Sequence, residues 1–237
     1  MITTKNITKK YGDFTAVNNL SLKVNQSEIL CLLGANGAGK STTINMLLNF
    51  TQPTSGTAEI NGLNVANNPI KTKNSLTYIP ENLMLYPTLT AVENLDYFTK
   101  LSGKKFDKTE LKLYLSEADL QEEAHDKRVK TFSKGMRQKV GIALAIAKDS
   151  SVLLLDEPTS GLDPKSSNDF IELLTKMKNN NVAILMATHD LFRAKEVSTH
   201  IGIMRKGSLQ SYSNASDLSL KELENIYLDI MNFKNVS

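Results

Sequence analysis

The fold of this chain is decided by one glycine-rich stretch, Gly34-Ala35-Asn36-Gly37-Ala38-Gly39-Lys40-Ser41. Residues 29–33, just before it, form an apolar run with the length of a buried strand. Residues 42–49, just after it, have apolar side chains at helical spacing. A loop of the pattern G-x-x-x-x-G-K-[ST] between a strand and a helix predicts phosphate binding. The alternative is a plain glycine-rich turn that joins a strand to a helix.

Each residue type in this loop has a physical reason to be there. The glycines lack a Cβ, so the chain can adopt positive φ and wrap closely around phosphate oxygens. Backbone N–H groups of the loop and of the following helix N-terminus then point at the anion. We expect Lys40 to reach the β- and γ-phosphates and Ser41 to offer its hydroxyl to Mg²⁺. The candidate nucleotide-binding residues run from Gly34 to Thr42.

Composition limits the classes of protein to which the chain can belong. Its 237 residues are 41% hydrophobic, which suits one large domain or a core domain with an inserted subdomain. A formal net charge of +3 from scattered basic residues gives no reason to expect a nucleic-acid partner. No run approaches the roughly 18 apolar residues of a membrane span, so a membrane function would require another chain. The single cysteine, Cys31, is expected in the core.

The order of the remaining elements predicts a mostly parallel α/β sheet. Residues 1–24 have the pattern of two β segments around a turn at Gly12-Asp13. Thr90-Ala-Val-Glu93 is a capping box that opens a helix reaching Leu101. Further strands are predicted at residues 56–62, 76–80, 152–155 and 182–186, and further helices at residues 110–120, 137–148, 170–177 and from 218. Alternating strands and helices favour a parallel sheet, and the helical stretch after residue 81 indicates an inserted subdomain.

An acidic pair, Asp156-Glu157, directly follows the apolar strand predicted at residues 152–155. The carboxyl ends of strands are where open α/β sheets bind their ligands. Asp156 is placed to hold Mg²⁺, directly or through water, and Glu157 to polarise the water that attacks a γ-phosphate. The alternative is a surface turn with two solvated carboxylates.

These motifs together resemble those of the ATP-binding subunits of ATP-binding-cassette (ABC) transporters, and the resemblance covers nearly the whole chain. The glycine-rich loop and Asp156-Glu157 resemble the Walker A and Walker B elements. The other matching elements, in family order, are an aromatic residue for adenine at Tyr11, a signature with Ser133, Lys134, Gly135 and Met136, a D-loop with Asp163, and a switch histidine at His189. Six elements in the family order are far more specific than any one of them.

The resemblance implies a role for each of these residues. The signature would face the γ-phosphate bound by another subunit, so catalysis would require a head-to-tail dimer. His189 would bond the γ-phosphate and act in catalysis beside Glu157. From the residues alone, Ser133 can be an ordinary helix N-cap, His189 a structural histidine, and Tyr11 a core tyrosine beside a turn.

The implied architecture is that of a P-loop nucleoside-triphosphatase. The core would be a mostly parallel sheet, with an antiparallel β subdomain at the N-terminus and an inserted α-helical signature subdomain. The resemblance implies a single ABC ATP-binding domain over residues 1–237. Its helical insertion would span approximately residues 82–150 and its C-terminal tail approximately residues 207–237.

The sequence departs from the family pattern at two positions. Lys134 replaces a small residue in the signature, and Glu81 replaces the glutamine that usually follows the strand at residues 76–80. A carboxylate at position 81 can bind Mg²⁺ but cannot donate an amide hydrogen bond. Both departures resemble the exporter-type branch of the family.

The function implied is ATP binding and hydrolysis, with ATP and Mg²⁺, to power transport through a separate multi-span permease. Export is the favoured direction of transport. The resemblance also implies that the subunit pairs with itself or with another ATPase, and that it lies in the cytoplasm on the inner face of the membrane. Docking is expected near residues 86–95. The alternative is a soluble ABC-type ATPase on ribosomes or DNA. A single cassette, with only residues 42–132 between loop and signature, argues against that alternative.

Overall fold

The computed structural model describes residues 1–231 as two sheets surrounded by helices. The strands, numbered in chain order, are β1 (Ile2–Tyr11), β2 (Phe14–Val24), β3 (Ile29–Leu33), β4 (Ser55–Ile60), β5 (Leu63–Asn64), β6 (Leu76–Ile79), β7 (Val152–Asp156), β8 (Ala183–Thr188), β9 (His200–Arg205) and β10 (Ser208–Asn214). The α-helices are α1 (Lys40–Leu47), α2 (Pro69–Asn74), α3 (Ala91–Leu101), α4 (Lys108–Glu117), α5 (Glu122–His125), α6 (Lys134–Ala147), α7 (Pro164–Asn179), α8 (Leu191–Val197) and α9 (Leu220–Met231). Short 3₁₀ helices lie at Val129–Thr131 and Ala215–Asp217.

The central sheet has the strand order β10-β9-β3-β8-β7-β6. The pairs among β9, β3, β8, β7 and β6 are all parallel, and β10 adds an antiparallel edge. Strands β3 and β8 are buried along their whole length, as expected for parallel strands that are covered on both faces. Because parallel strands end at the same edge, the segments after β3, β6, β7 and β8 converge there.

The N-terminal sheet is antiparallel, with the strand order β2-β1-β4-β5. Strands β1 and β2 form a hairpin around Gly12, whose φ of 58° suits a tight turn, so Tyr11 pairs directly with Phe14. The predicted α/β architecture, with a mostly parallel sheet and an antiparallel N-terminal sheet, is confirmed.

Two apolar cores lie on opposite faces of the central sheet. In β3, Ile29, Cys31 and Leu33 face the core that includes helices α3, α4, α6 and α7. Leu30 and Leu32 face the core shared with α1 and the antiparallel sheet. Cys31 is fully buried, as expected, and burial raises the pKa of its thiol.

Helices α3 to α6 all lie within residues 82–150, the range predicted for the helical insertion. Thr90 and Glu93 make both bonds of the predicted capping box. Helix α6 begins at Lys134, three residues before its predicted start, because the Ser133 hydroxyl caps it. Helices α3, α4 and α6 pack against one another and carry apolar residues of the first core.

Several predicted bounds were wrong. Helix α1 begins at Lys40 rather than at residue 42, and α7 begins at Pro164 rather than at residue 170. A strand that was not predicted, β10, lies within the expected tail and joins the central sheet. The C-terminal helix α9 buries Leu223, and residues 232–237 of the predicted tail lie outside the described residues. Within residues 1–231, no helix has the length and apolarity needed to cross a membrane.

Candidate active site

The glycine-rich loop joins β3 to α1 and depends on glycine for two reasons. Gly37 and Gly39 have φ of 81° and 103°, in the left-handed region that residues with a Cβ rarely adopt. A Cβ on Gly34 would lie 2.6 Å from the carbonyl oxygen of Met204, and one on Gly39 would lie 2.6 Å from that of Ala16. Gly39 is also the N-cap of α1 and has no side chain to cap it. The N–H groups of the first turn can therefore serve an anion.

Lys40 is a buried cation held by this loop. Its Nζ donates to the carbonyl oxygen of Gly34 at 2.6 Å and to that of Ala35 at 3.4 Å. Nζ also lies 3.4 Å from Oε1 of Glu157, and the lysine side chain is only 6% exposed. A buried ammonium group of this kind provides a positive charge for phosphate at a fixed place.

A cavity of about 250 Å³ opens beside the loop. It is lined by residues 35–42 and by Phe14, Ala16, Glu81, Asp156 and Glu157. Tyr11 is not among the residues that line it and lies under the ammonium group of Lys9. Phe14, which is 63% exposed, is therefore the aromatic ring that borders the cavity. Phe14 was not predicted as a site residue, although an aromatic residue directly after a predicted turn was a usable signal.

Asp156 ends β7 and is partly buried. Burial raises the pKa of its carboxyl group above the ordinary value, and a hydrogen bond from the Ser41 side chain opposes this rise. The Oδ1 atom of Asp156 is buried and has no hydrogen-bond partner among the described residues. An unpartnered carboxylate oxygen beside a serine hydroxyl suits a hard divalent cation. Within residues 1–231, no group of three or more His, Cys, Asp or Glu side chains could hold a metal.

Glu157 bridges Lys40 and His189. Its Oε2 accepts hydrogen bonds from the His189 ring Nδ1 at 2.8 Å and from the His189 backbone N–H at 3.3 Å. Its backbone has a φ of 47°, which is uncommon for a residue other than glycine, and its N–H donates to the carbonyl of Ala187. Strained backbone of this kind clusters at functional sites. The carboxylate is thus fixed between a cation and an imidazole at the rim of the cavity.

Glu81 follows β6 and makes contacts that the sequence did not predict. Its Oε1 accepts a hydrogen bond from the Ser160 hydroxyl at 3.0 Å. Lys134 Nζ donates to the carbonyl oxygen of Ser160 at 2.7 Å and lies 4.0 Å from the same Oε1. The negative charge of Glu81 also contributes to the raised pKa of Asp156.

A second cavity, of about 290 Å³, is lined by the D-loop residue Asp163 and by all the predicted signature residues except Lys134, and none of them lines the cavity of Lys40. Ser133 accepts a hydrogen bond from the Met136 N–H, as an N-cap does. A Cβ on Gly135 would lie 2.9 Å from that of Ser166, so glycine lets α6 approach α7 closely. Asp163 caps α7 and accepts from the Ser166 N–H and hydroxyl, which lowers the pKa of its carboxyl group.

The features that converge on the first cavity define a site for hydrolysing a nucleoside triphosphate. A glycine loop with a buried lysine binds phosphates, and a carboxylate bonded to a histidine can take a proton from water. The two cavities of one chain separate the phosphate loop and the acid pair from Ser133, Gly135, Met136 and Asp163. Four predicted site residues line neither cavity: Tyr11, Gly34, Lys134 and His189.

Comparisons with known proteins identify the family. The family model described as "ABC transporter" matches residues 17–160. The bacitracin transport ATP-binding protein of Enterococcus faecalis is 34% identical over 235 residues, which cover 99% of this chain and 76% of that protein. A solved structure titled as the ATP-binding subunit of an ABC transporter has a TM-score of 0.83 and 29% identity, over 96% of this chain and 99% of the other. The chain belongs to the ABC transporter family.

A further solved structure is titled as a dimeric, post-hydrolysis ATP-binding cassette bound to ADP and Pi. It has a TM-score of 0.80 and 25% identity, covering 91% of this chain and 99% of the other. These matches confirm that the chain is an ATP-binding and ATP-hydrolysing subunit of a transporter. They give no support to the alternative of a soluble ATPase on ribosomes or DNA.

Proposed function

We propose that this chain binds Mg-ATP at the first cavity, completes the site with a second cassette, and drives export through a separate permease. The separation of the signature and D-loop residues from the phosphate loop carries this proposal. Within one chain, Ser133, Gly135 and Asp163 line the second cavity and not the cavity beside Lys40. A second subunit, either another copy or a different ATPase, would bring its own signature to the phosphates in a head-to-tail pair.

The roles of the individual residues follow from their contacts. Lys40 and the loop N–H groups bind the phosphates, and Ser41 and Asp156 would hold Mg²⁺, with Glu81 near enough to the same cavity to assist. When bound, the cation neutralises phosphate charge. Glu157 orients and deprotonates water, and His189 holds the Glu157 carboxylate through Nδ1. Phe14, which pairs with Tyr11 at the tip of the β1–β2 hairpin and borders the cavity, supplies a ring for the base.

An exposed apolar surface near Glu81 suits a membrane partner. Met84 is 82% exposed, and Tyr86 and Tyr97 are also exposed, with ring centroids 4.8 Å apart. Phe98 packs against both tyrosine rings. We call Met84, Tyr86, Tyr97 and Phe98 the aromatic surface. It overlaps the docking region expected near residues 86–95, and the segment that leads to it starts at the cavity.

Export is the direction we assign to the transporter. It is supported by the two departures from the family pattern, Glu81 and Lys134, and by a relative whose name specifies bacitracin transport. Bound to a permease, the subunit would work at the cytoplasmic face of the membrane.

Docking is tested by adding a charge to the aromatic surface. Purified Met84→Glu should be recovered with permease-containing membranes of the source cell on the order of tenfold less than wild type, because burying an unpaired charge is costly. Leu113→Glu is the matched control, since Leu113 is an exposed apolar residue of α4 that is not part of the aromatic surface. Equal recovery of the two variants would refute docking at the aromatic surface.

A further inference from the structure

Two positions that depart from the family pattern meet in the structure. Glu81 lies after β6 and Lys134 begins α6, yet Glu81 Oε1 and Lys134 Nζ are only 4.0 Å apart. Their side chains are 48% and 26% exposed, so water screens the pair only in part. A negative and a positive charge therefore stand opposite each other at the edge of the phosphate cavity.

Ser160 lies between the two charged residues and bonds to both. Its hydroxyl donates to Glu81, and its carbonyl oxygen accepts from Lys134. Three parts of the chain meet at this serine: the segment after β6, the segment after β7 and the first turn of α6. Ser160 also belongs to a turn in which its own N–H donates to the carbonyl of Glu157.

Lys134 lies in the first turn of α6, where a positive charge needs compensating partners. A cation in the first turn of a helix lies at the positive end of the helix dipole, where it is unfavourable. The carbonyl of Ser160 and the carboxylate of Glu81 compensate for this. Glu81 in turn lies near the carboxylate of Asp156, so a cation beside Glu81 reduces the repulsion between the two acids.

We propose that Glu81, Ser160 and Lys134 form a latch that positions residues 157–163 for ATP hydrolysis. This segment begins with the carboxylate that activates water and ends with Asp163 at the second cavity. By holding the middle of the segment, the latch fixes Glu157 on one side and Asp163 on the other. Lys134 is thus a positioning residue that links the helical region to the site. The proposal rests on ATP hydrolysis at this cavity, and it does not depend on the permease or on export.

The first test measures the segment without any catalysis. Backbone hydrogen–deuterium exchange of residues 157–163 should be faster in Lys134→Met than in wild type, because the Ser160 carbonyl loses its donor. Lys134→Arg, which can still donate to that carbonyl, should restore protection. Lys139→Met is the matched control, since Lys139 is on the same helix but pairs with Asp169.

The second test is a double-mutant cycle on ATP turnover by the purified chain. Lys134→Met should lower kcat about two- to fivefold with little change in KM, the size expected of a partly exposed pair. In a Glu81→Gln background the same substitution should cost less, whereas Lys139→Met should cost the same in both backgrounds. Unchanged exchange of residues 157–163, or effects of positions 81 and 134 that simply multiply, would overturn the latch. If the wild-type chain shows no ATP turnover, the proposed function fails. The latch is still tested in that case, because the hydrogen-exchange measurement needs no turnover.

Discussion

Replacing Glu157 by glutamine tests the proposal that this carboxylate activates the attacking water. The carboxylate accepts two hydrogen bonds from His189 and lies 3.4 Å from the ammonium group of Lys40. Glutamine has the same shape and keeps one oxygen that can accept from His189. It removes the negative charge and the ability to take a proton. The fold and the phosphate loop should therefore survive the substitution.

The magnitude follows from the role of a general base. Loss of one base lowers the rate about 10²- to 10⁴-fold, which is about 3–5 kcal/mol of transition-state stabilisation. Affinity for ATP should be unchanged or higher, because Lys40 loses a carboxylate that competes with phosphate for its charge. ATP that is bound but not hydrolysed should also hold two chains together.

Three measurements check this prediction: phosphate release, ATP affinity and the size of the ATP-bound protein in gel filtration. Glu196→Gln is the matched control, because Glu196 also pairs with a cation, Arg193, but does not line the cavity. That variant should keep wild-type turnover. Turnover by Glu157→Gln at the wild-type rate would refute the assignment of Glu157 as the base.

Two further predictions concern the other carboxylates of the cavity. Because burial raises the pKa of Asp156, its ionised form destabilises the fold. This loss of folding free energy is complete at pH values above the pKa in the folded state, and it vanishes at pH values below the pKa in the unfolded state. Asp156→Asn should therefore raise Tm at neutral pH and lose this gain as the pH falls through that range, and Mg-ATP should no longer stabilise the variant. If Asp156 were an ordinary surface acid, thermal unfolding scans across pH would show no such gain in Tm. Glu81→Gln should bind ATP more tightly than wild type in EDTA, with a smaller or reversed difference in Mg²⁺; the same Mg²⁺ dependence in both proteins would exclude a metal-side role for Glu81.

Much of the fold was predictable because local patterns determine it. Strand β3 is an apolar run stopped by glycine, and its bounds were predicted without error. The capping box at Thr90 needs only four residues, so it could be recognised directly. The start of α7 was predicted too late because its first turn is polar, although Asp163 followed by Pro164 was a usable N-cap signal. Strand β10 was missed because an edge strand with alternating polar residues has a weak pattern.

The site was only partly predictable. The loop and the acid pair lie next to their strands, so their positions follow from the sequence. The contacts of Ser160 with Glu81 and Lys134 join three distant segments, and no local pattern specifies them. The same holds for Phe14, which reaches the cavity through the hairpin and the packing of two sheets.

Complementation between two inactive variants tests the shared site most directly. Lys40→Ala removes from one chain the cation that we propose binds phosphate. Ser133→Asp keeps a side-chain acceptor at the N-cap of α6, but its carboxylate would face and repel the phosphates bound by the other chain. It is preferable to a change at Gly135, where any Cβ would press on Ser166. A mixed pair contains one site built from two intact halves. ATPase activity of the mixture should exceed that of either variant alone, whereas no gain from demonstrated mixed dimers would contradict a site shared between two cassettes.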